Sequence, residues 1–312
     1  MTESILQSHS VVIEPSSDRL KTWIRRLVWK LAIATLMLMA VGSATRVMNA
    51  GLACPDWPLC YGQWIPSQQM NLQVFLEWFH RLDAALIGLS TLALVIVSWL
   101  GRNLLPPWLP KASLGALGLI LVQGLLGGLT VTQLLRFDIV TAHLGTALLF
   151  LASLLAIGLG LSPYNPHHTA GSLRWLGGIT AILIYSQCLL GGLVGSRWAA
   201  HQCLNGGLAH LCGVMSNHLW GVLPVTLGVV LTAWGTWRTA ALHPFLRQLA
   251  LSALGLVVLQ MGLGLATLYF HLQIEPLTVA HHTVGACLWG ILFVFTFTAL
   301  RDHVSPSVPV LH

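Results

Sequence analysis

Eight separate apolar runs, each about 20 residues long, recur along this chain, and that is the length a helix needs to cross a hydrocarbon layer about 30 Å thick. They fall near residues 24–45, 77–100, 112–134, 140–161, 176–197, 217–237, 249–270 and 278–300. Lipid offers no partner to a bare N–H or C=O, so a spanning segment must pair its own backbone groups. None of the runs shows the alternation of a barrel strand, so all eight are expected to be helices. The chain is 55% hydrophobic and 8% charged, with a mean hydropathy of +0.77, which excludes an ordinary soluble domain. The expected fold class is an all-α integral membrane protein.

Basic residues orient the helices. Arg46, Arg81, Arg136 and Arg197 lie at one side of the membrane, and the other 11 of the 15 Lys and Arg lie at the opposite side. The positive-inside rule places the richer side, with both termini, in the cytoplasm. A bacterial inner (plasma) membrane is the simplest location. The net charge of +6 then reports topology and gives no reason to expect nucleic acid as a partner. The first run, preceded by "KTWIRRLVWK", also has the makings of a signal peptide ending near Gly42-Ser43-Ala44. An internal repeat argues that it is retained.

His80 and His218 are 138 residues apart, and so are His143 in "DIVTAHLGTALL" and His281 in "EPLTVAHHTVGACL". The stretch "QGLLGGLT" from Gln123 recurs as "QMGLGLAT" from Gln260, 137 residues on. Arg46, before a loop carrying Cys54 and Cys60, is matched by Arg197 before a loop carrying Cys203 and Cys212. Features in register at one spacing mark a duplication. The expected organisation is two pseudo-symmetric four-helix bundles, residues 1–161 and 175–312, joined by a cytoplasmic linker at 162–174.

Each half then holds two histidines at the same depth, near the outer ends of even-numbered helices: His80 with His143, and His218 with His281. An ionisable group inside the membrane is costly and defaults to a functional role in the bundle interior. Two imidazoles on facing helices suit the clamping of an iron porphyrin, one nitrogen on each face as axial ligands that set its potential. A single membrane histidine more often makes an interhelical hydrogen bond, but four at repeat-related depths favour ligation of haem iron. His282, beside His281, is an alternative ligand. Pairs such as Gly124 with Gly128 and Gly191 with Gly195 allow close helix packing, and a flat macrocycle needs the same side-chain-free surface. Gln123, Gln187 and Gln260 precede these glycines and read first as packing or polar glue, with a propionate or each other as partners. The four outward arginines lie where the propionates of a vertical porphyrin emerge, which suits bidentate pairing. Interfacial snorkelling accounts for them equally well.

Glu77 breaks the repeat. Three residues before His80, it shares a helix face with it, whereas Met215 holds the corresponding place before His218. A carboxylate beside one site of two points to chemistry in the first half and electron carriage in the second; a negative charge favoured by the helix dipole is the simpler explanation. Asp83 is expected to pair with Arg81 or Arg46. Disulfides persist outside the cytoplasm, so one bridge per outer loop is expected, Cys54 with Cys60 and Cys203 with Cys212.

The run "ATRVMNAGLACPDWPLCYGQW" into "EWFHR", followed by "LGGLTV" and "TAHLGTALL" and by weaker echoes in the second half, resembles the heme A synthase family of membrane oxygenases over essentially the whole chain. The resemblance implies oxidation of a ring methyl of haem O to a formyl group, giving haem A for cytochrome oxidase assembly. It implies haem O as substrate between His80 and His143, with Glu77 as the catalytic carboxylate, and a permanent haem B held by His218 and His281. Two hydroxylations of the methyl, then loss of water from the gem-diol, are the expected route. Its partners would be a membrane electron donor such as a quinol and the haem O synthase that supplies substrate. Two departures from the family pattern are the missing carboxylate before His218 and the doubled "HH" at His281. The alternative is a dihaem electron carrier of the cytochrome b type, with two permanent haems and no turnover. A haem or metal transporter is disfavoured, since no Pro-interrupted helix is expected near the midplane.

Overall fold

A computed structural model describes residues 15–195 and 213–303. Its helices are α1 (Pro15–Val47), α2 (Leu72–Leu100), α3 (Leu109–Thr132), α4 (Phe137–Leu161), α5 (Leu173–Val194), α6 (Gly213–Arg238), α7 (Pro244–Tyr269) and α8 (Glu275–His303). All eight are long and apolar enough to cross a membrane. They overrun the apolar windows because hydropathy marks the part within hydrocarbon, whereas capping marks the end. Helix α2 starts at Leu72 because the Asn71 side chain accepts from the Val74 N–H at 2.9 Å. Helix α6 carries Pro224 inside it and runs through unbroken, so a Pro-bearing span is present after all.

Helices α1 to α4 pack in sequence round a ring that closes α4 on α1, and α5 to α8 do the same, closing α8 on α5. Contacts of α1 with α8, and of α4 with α5 and α8, join the rings. Helices α4 and α8 are consequently the most enclosed, while α3 and α7 face outward. The central cluster includes Ile24 and Val28 of α1, Leu148 and Leu154 of α4, and Leu288 and Leu292 of α8. Lipid tails are as apolar as leucine, so no hydrophobic force draws these helices together and van der Waals fit must serve. Gly177 of α5 shows the fit: a Cβ there would stand 2.6 Å from the Phe295 ring of α8.

Two turns at the end of the molecule that carries the Cys54–Cys60 loop are built alike. Leu134 and Leu135 follow α3 with φ of 51° and 60°, and His271 and Leu272 follow α7 with φ of 53° and 63°. Successive non-glycine residues in the left-handed region are uncommon. Both turns are closed in the same way: Leu135 N–H donates to the Thr130 carbonyl at 2.8 Å, and Leu272 N–H to the Thr267 carbonyl at 2.9 Å. The Thr130 and Thr267 hydroxyls in turn donate to the Gly127 and Gly264 carbonyls.

At the other end, Asp302 of α8 holds the connection between α4 and α5. Its Oδ1 accepts from the Tyr164 hydroxyl at 3.0 Å and the His167 N–H at 2.7 Å, and its Oδ2 accepts from the Thr169 and Ala170 N–H groups, each at 2.9 Å. Burial, together with the bond to Asp302, pushes the Tyr164 hydroxyl pKa upward. Asn in place of Asp302 would set an NH2 against at least one backbone N–H donor in either amide orientation. An unmet buried donor costs about 1–3 kcal/mol, so Asp302→Asn is expected to lose about 2 kcal/mol or more, read as a lower thermal unfolding midpoint in detergent. An unchanged midpoint would mean that the linker is not held by this carboxylate.

Candidate functional site

One cavity of about 1470 Å³ is lined by His80 of α2, His143 of α4, His218 of α6 and His281 of α8. Each imidazole rests on a glycine of the helix before it. A Cβ on Gly42 would stand 2.8 Å from His80 Cε1, one on Gly127 3.4 Å from His143, and ones on Gly191 and Gly264 3.0 Å from His218 and His281. Glycine at these four positions leaves room for the rings. The glutamines, expected to serve as general packing, go to the same histidines. Gln123 Nε2 is 3.3 Å from His143 Nε2, Gln260 Nε2 is 3.4 Å from His281 Nε2, and Gln187 donates to the His218 carbonyl. Their shared place just before the glycines was the available signal.

The Nδ1 atoms of all four histidines are buried and lack a hydrogen-bond partner, as do the Oε1 atoms of Gln123 and Gln260. Buried polar atoms are ordinarily paired, so this set points to a ligand. Among the described residues no group of three or more His, Cys, Asp or Glu is placed to hold a metal ion. Two imidazoles alone suit a metal that brings its own equatorial donors, which a porphyrin supplies. A ligated nitrogen sits about 2 Å from the metal and roughly 1 Å from its ring centre, so opposed imidazoles need about 6 Å between centres. His218 and His281 are 6.4 Å apart by ring centroids. Drug-sized ligands occupy about 300–1,000 Å³, so this volume has room for more than one such group.

Glu77 is 3% exposed and lines the same cavity. Its Oε2 accepts from the Cys54 N–H at 2.8 Å, and its Oε1 pairs with Arg81 Nη2 at 2.5 Å. Arg81 further donates to the carbonyls of Cys54, Asp56 and Leu59. Both terminal nitrogens are thereby committed to Glu77 and the outer loop. The sequence left Arg81 open to a haem propionate, to interfacial snorkelling or to Asp83; in the structure it bonds Glu77, because residues four apart on a helix share a face. The Cys54–Cys60 disulfide closes that loop, and Asp56 accepts from the Tyr61 and Gly62 N–H groups at 2.6 and 2.7 Å. The Gly62 bond is the largest effect holding the Asp56 carboxyl below its usual range. Trp57 of this loop packs on Gly128, capping the cavity from outside.

His281 faces His218, whereas His282 is hydrogen-bonded through Nδ1 to Ser43 Oγ of α1 at 2.7 Å. Arg46 also lines the cavity and donates to the Gly192 carbonyl of α5 at 2.6 Å. Arg136 pairs with Asp138. Arg197, Cys203 and Cys212 lie outside the described residues.

A family model described as cytochrome oxidase assembly protein, COX15-CtaA, matches residues 25–293. The chain belongs to that family. Among its relatives, a Heme A synthase of Shewanella oneidensis is 29% identical, over 92% of this chain and 98% of its own length. One of Rhodospirillum centenum is 30% identical over 89% of each, and one of Geobacillus thermodenitrificans is 27% identical over 91% of this chain and 94% of its own. These relatives give no support to a dihaem electron carrier.

Lysine in place of Arg81 keeps the charge but offers one ammonium where a two-nitrogen fork spans Glu77 and three carbonyls. Arg81→Lys is expected to release the loop at residues 48–71, so that added protease cuts it several-fold faster in detergent-solubilised protein. Unchanged cleavage would show that the disulfide alone secures it.

Proposed function

We propose that this chain oxidises a ring methyl of haem O to the formyl group of haem A, for cytochrome oxidase assembly. One asymmetry carries the reading: of two imidazole pairs lining a common cavity, only His80 with His143 has a carboxylate, Glu77, beside it. Haem O is the substrate of that first pair, within residues 1–161. His218 and His281, within 175–312, hold haem B, which supplies one-electron transfers when bound. Arg46, on the cavity wall, is the arginine for a propionate, and Arg197 joins it on sequence grounds. Arg81 acts as a positioning residue for Glu77.

A carboxylate offers about four acceptor sites, and Glu77 has two of them filled by the Cys54 N–H and Arg81. The remaining capacity lets it take a proton from the substrate during methyl oxidation. The loop capped by Trp57 screens this carboxylate from water. Basic-residue asymmetry supports an inner membrane location with both termini in the cytoplasm. Dioxygen supplies the oxygen atom of each of the two hydroxylations, a membrane quinol supplies the two electrons and two protons that take its other atom to water, and haem O synthase is the source of substrate.

Expression of the full chain with a haem O source, followed by mass identification of extracted haems, tests the reading. Haem A is expected from the wild type, falling about a hundredfold or more in Glu77→Gln. Haem B as the sole product of the wild type would overturn the proposal. The glycine seats give a graded check: Gly42→Ala, facing the tighter contact, is expected to weaken substrate haem retention more than Gly127→Ala, with visible absorption as the readout.

A further inference from the structure

The cavity is not equal on its two sides. Beside His80 and His143 it runs past Ala84, Ala85 and Gly88 of α2 and Gly124 of α3 to Leu89, Leu92 and Leu121. The last three stand at the lipid surface, 65%, 42% and 65% exposed. A Cβ on Gly88 or Gly124 would meet nothing within 4 Å. At the spacing of 138 that relates His80 to His218, Ala84, Ala85 and Gly88 of α2 are replaced by Val222, Leu223 and Thr226, and at the spacing of 137 that relates Gln123 to Gln260, Gly124 of α3 is replaced by Met261. There the Thr226 hydroxyl donates to Met261 Sδ at 3.7 Å, bridging α6 to α7. The counterparts of Leu89, Leu92 and Leu121, namely Leu227, Val230 and Val258, lie outside the cavity.

We propose that the gap between α2 and α3 is a lateral portal for the long isoprenoid side chain that haem O carries and haem B lacks, and that this gap decides which histidine pair receives the substrate. The inference rests on haem O as the substrate of the first pair. Imidazole ligation does not discriminate the two haems, since their iron is the same; the tail does. An isoprenoid chain gains little by leaving lipid for an apolar pocket, so a slot open to the bilayer lets the ring enter while the tail stays where it is already solvated. The bulkier Val222, Leu223, Thr226 and Met261, with the Thr226–Met261 contact, narrow the matching slot on the other side.

The test transplants the closed pair into the open slot. Full-length Gly88→Thr/Gly124→Met, expressed with a haem O source, is expected to lose haem O and haem A per protein about tenfold, the scale of overpacking a fitted site, while haem B per protein stays unchanged. Gly118→Met, at a glycine of α3 with open space around it and outside the cavity, is expected to leave all three haems unchanged. Should the double variant also shed haem B, the two single variants carry the test, since either side chain narrows the slot. Wild-type levels of haem O and haem A in these variants, with haem B retained, would overturn the portal. A wild type that yields neither haem O nor haem A would instead overturn the assignment of substrate to the first pair.

Discussion

An imidazole inside a bilayer has no water to turn to, and this architecture follows from giving four of them a place. Each ring lies where the side chain of a facing residue would otherwise be, and that residue is glycine every time: Gly42, Gly127, Gly191 and Gly264. Because lipid supplies no hydrophobic force between helices, such fitted contacts are the means by which spans recognise one another. The even-numbered helices bring the histidines and the odd-numbered helices bring the seats. Closing each set of four helices on itself then points all four rings into one cavity.

Around this frame the polar contacts are few and directed. Glu77, Arg81 and the disulfide-closed loop form one connected unit, in which a buried carboxylate is oriented by a guanidinium and a backbone N–H. Removing one partner of a buried ion pair leaves an uncompensated charge, which is far worse than never having had the pair. The loop therefore acts as both lid and scaffold. Between the halves, Ser43 meets His282 and Arg46 meets the Gly192 carbonyl. These contacts tie α1 to the helices of the second ring next to both histidine pairs. At the opposite face Asp302 gathers the linker, so the two ends of the molecule are each secured by one acidic side chain.

Local patterns carry much of this. Hydropathy marks eight spans because each must satisfy the bilayer by itself, and the described residues hold eight helices long and apolar enough to cross it. The matched spacing of His80 with His218 and His143 with His281 marks their common depth, since depth depends only on distance along a helix. The Cys54–Cys60 bridge joins two cysteines six residues apart in one loop, the pairing that a cysteine pair per loop outside the cytoplasm leads one to expect. Helix ends are less legible: Asn71 and the left-handed turns at Leu134 and His271 set them by hydrogen bonds that no apolar count registers.

By itself, then, the sequence determined the spans, their alternation across the membrane and the candidate site residues, all of which are properties of single segments. Which neighbour each residue meets was decided only by tertiary structure. The spacing from His143 favours His281 over His282, but successive helix residues point about 100° apart, and only packing turns one towards His218 and the other towards Ser43. Arg81 was a match for a propionate until the loop folded back over it and supplied three carbonyls. The unequal walls of the cavity are likewise visible only once α2 stands beside α3 and α6 beside α7, because a gap belongs to two helices and to neither alone.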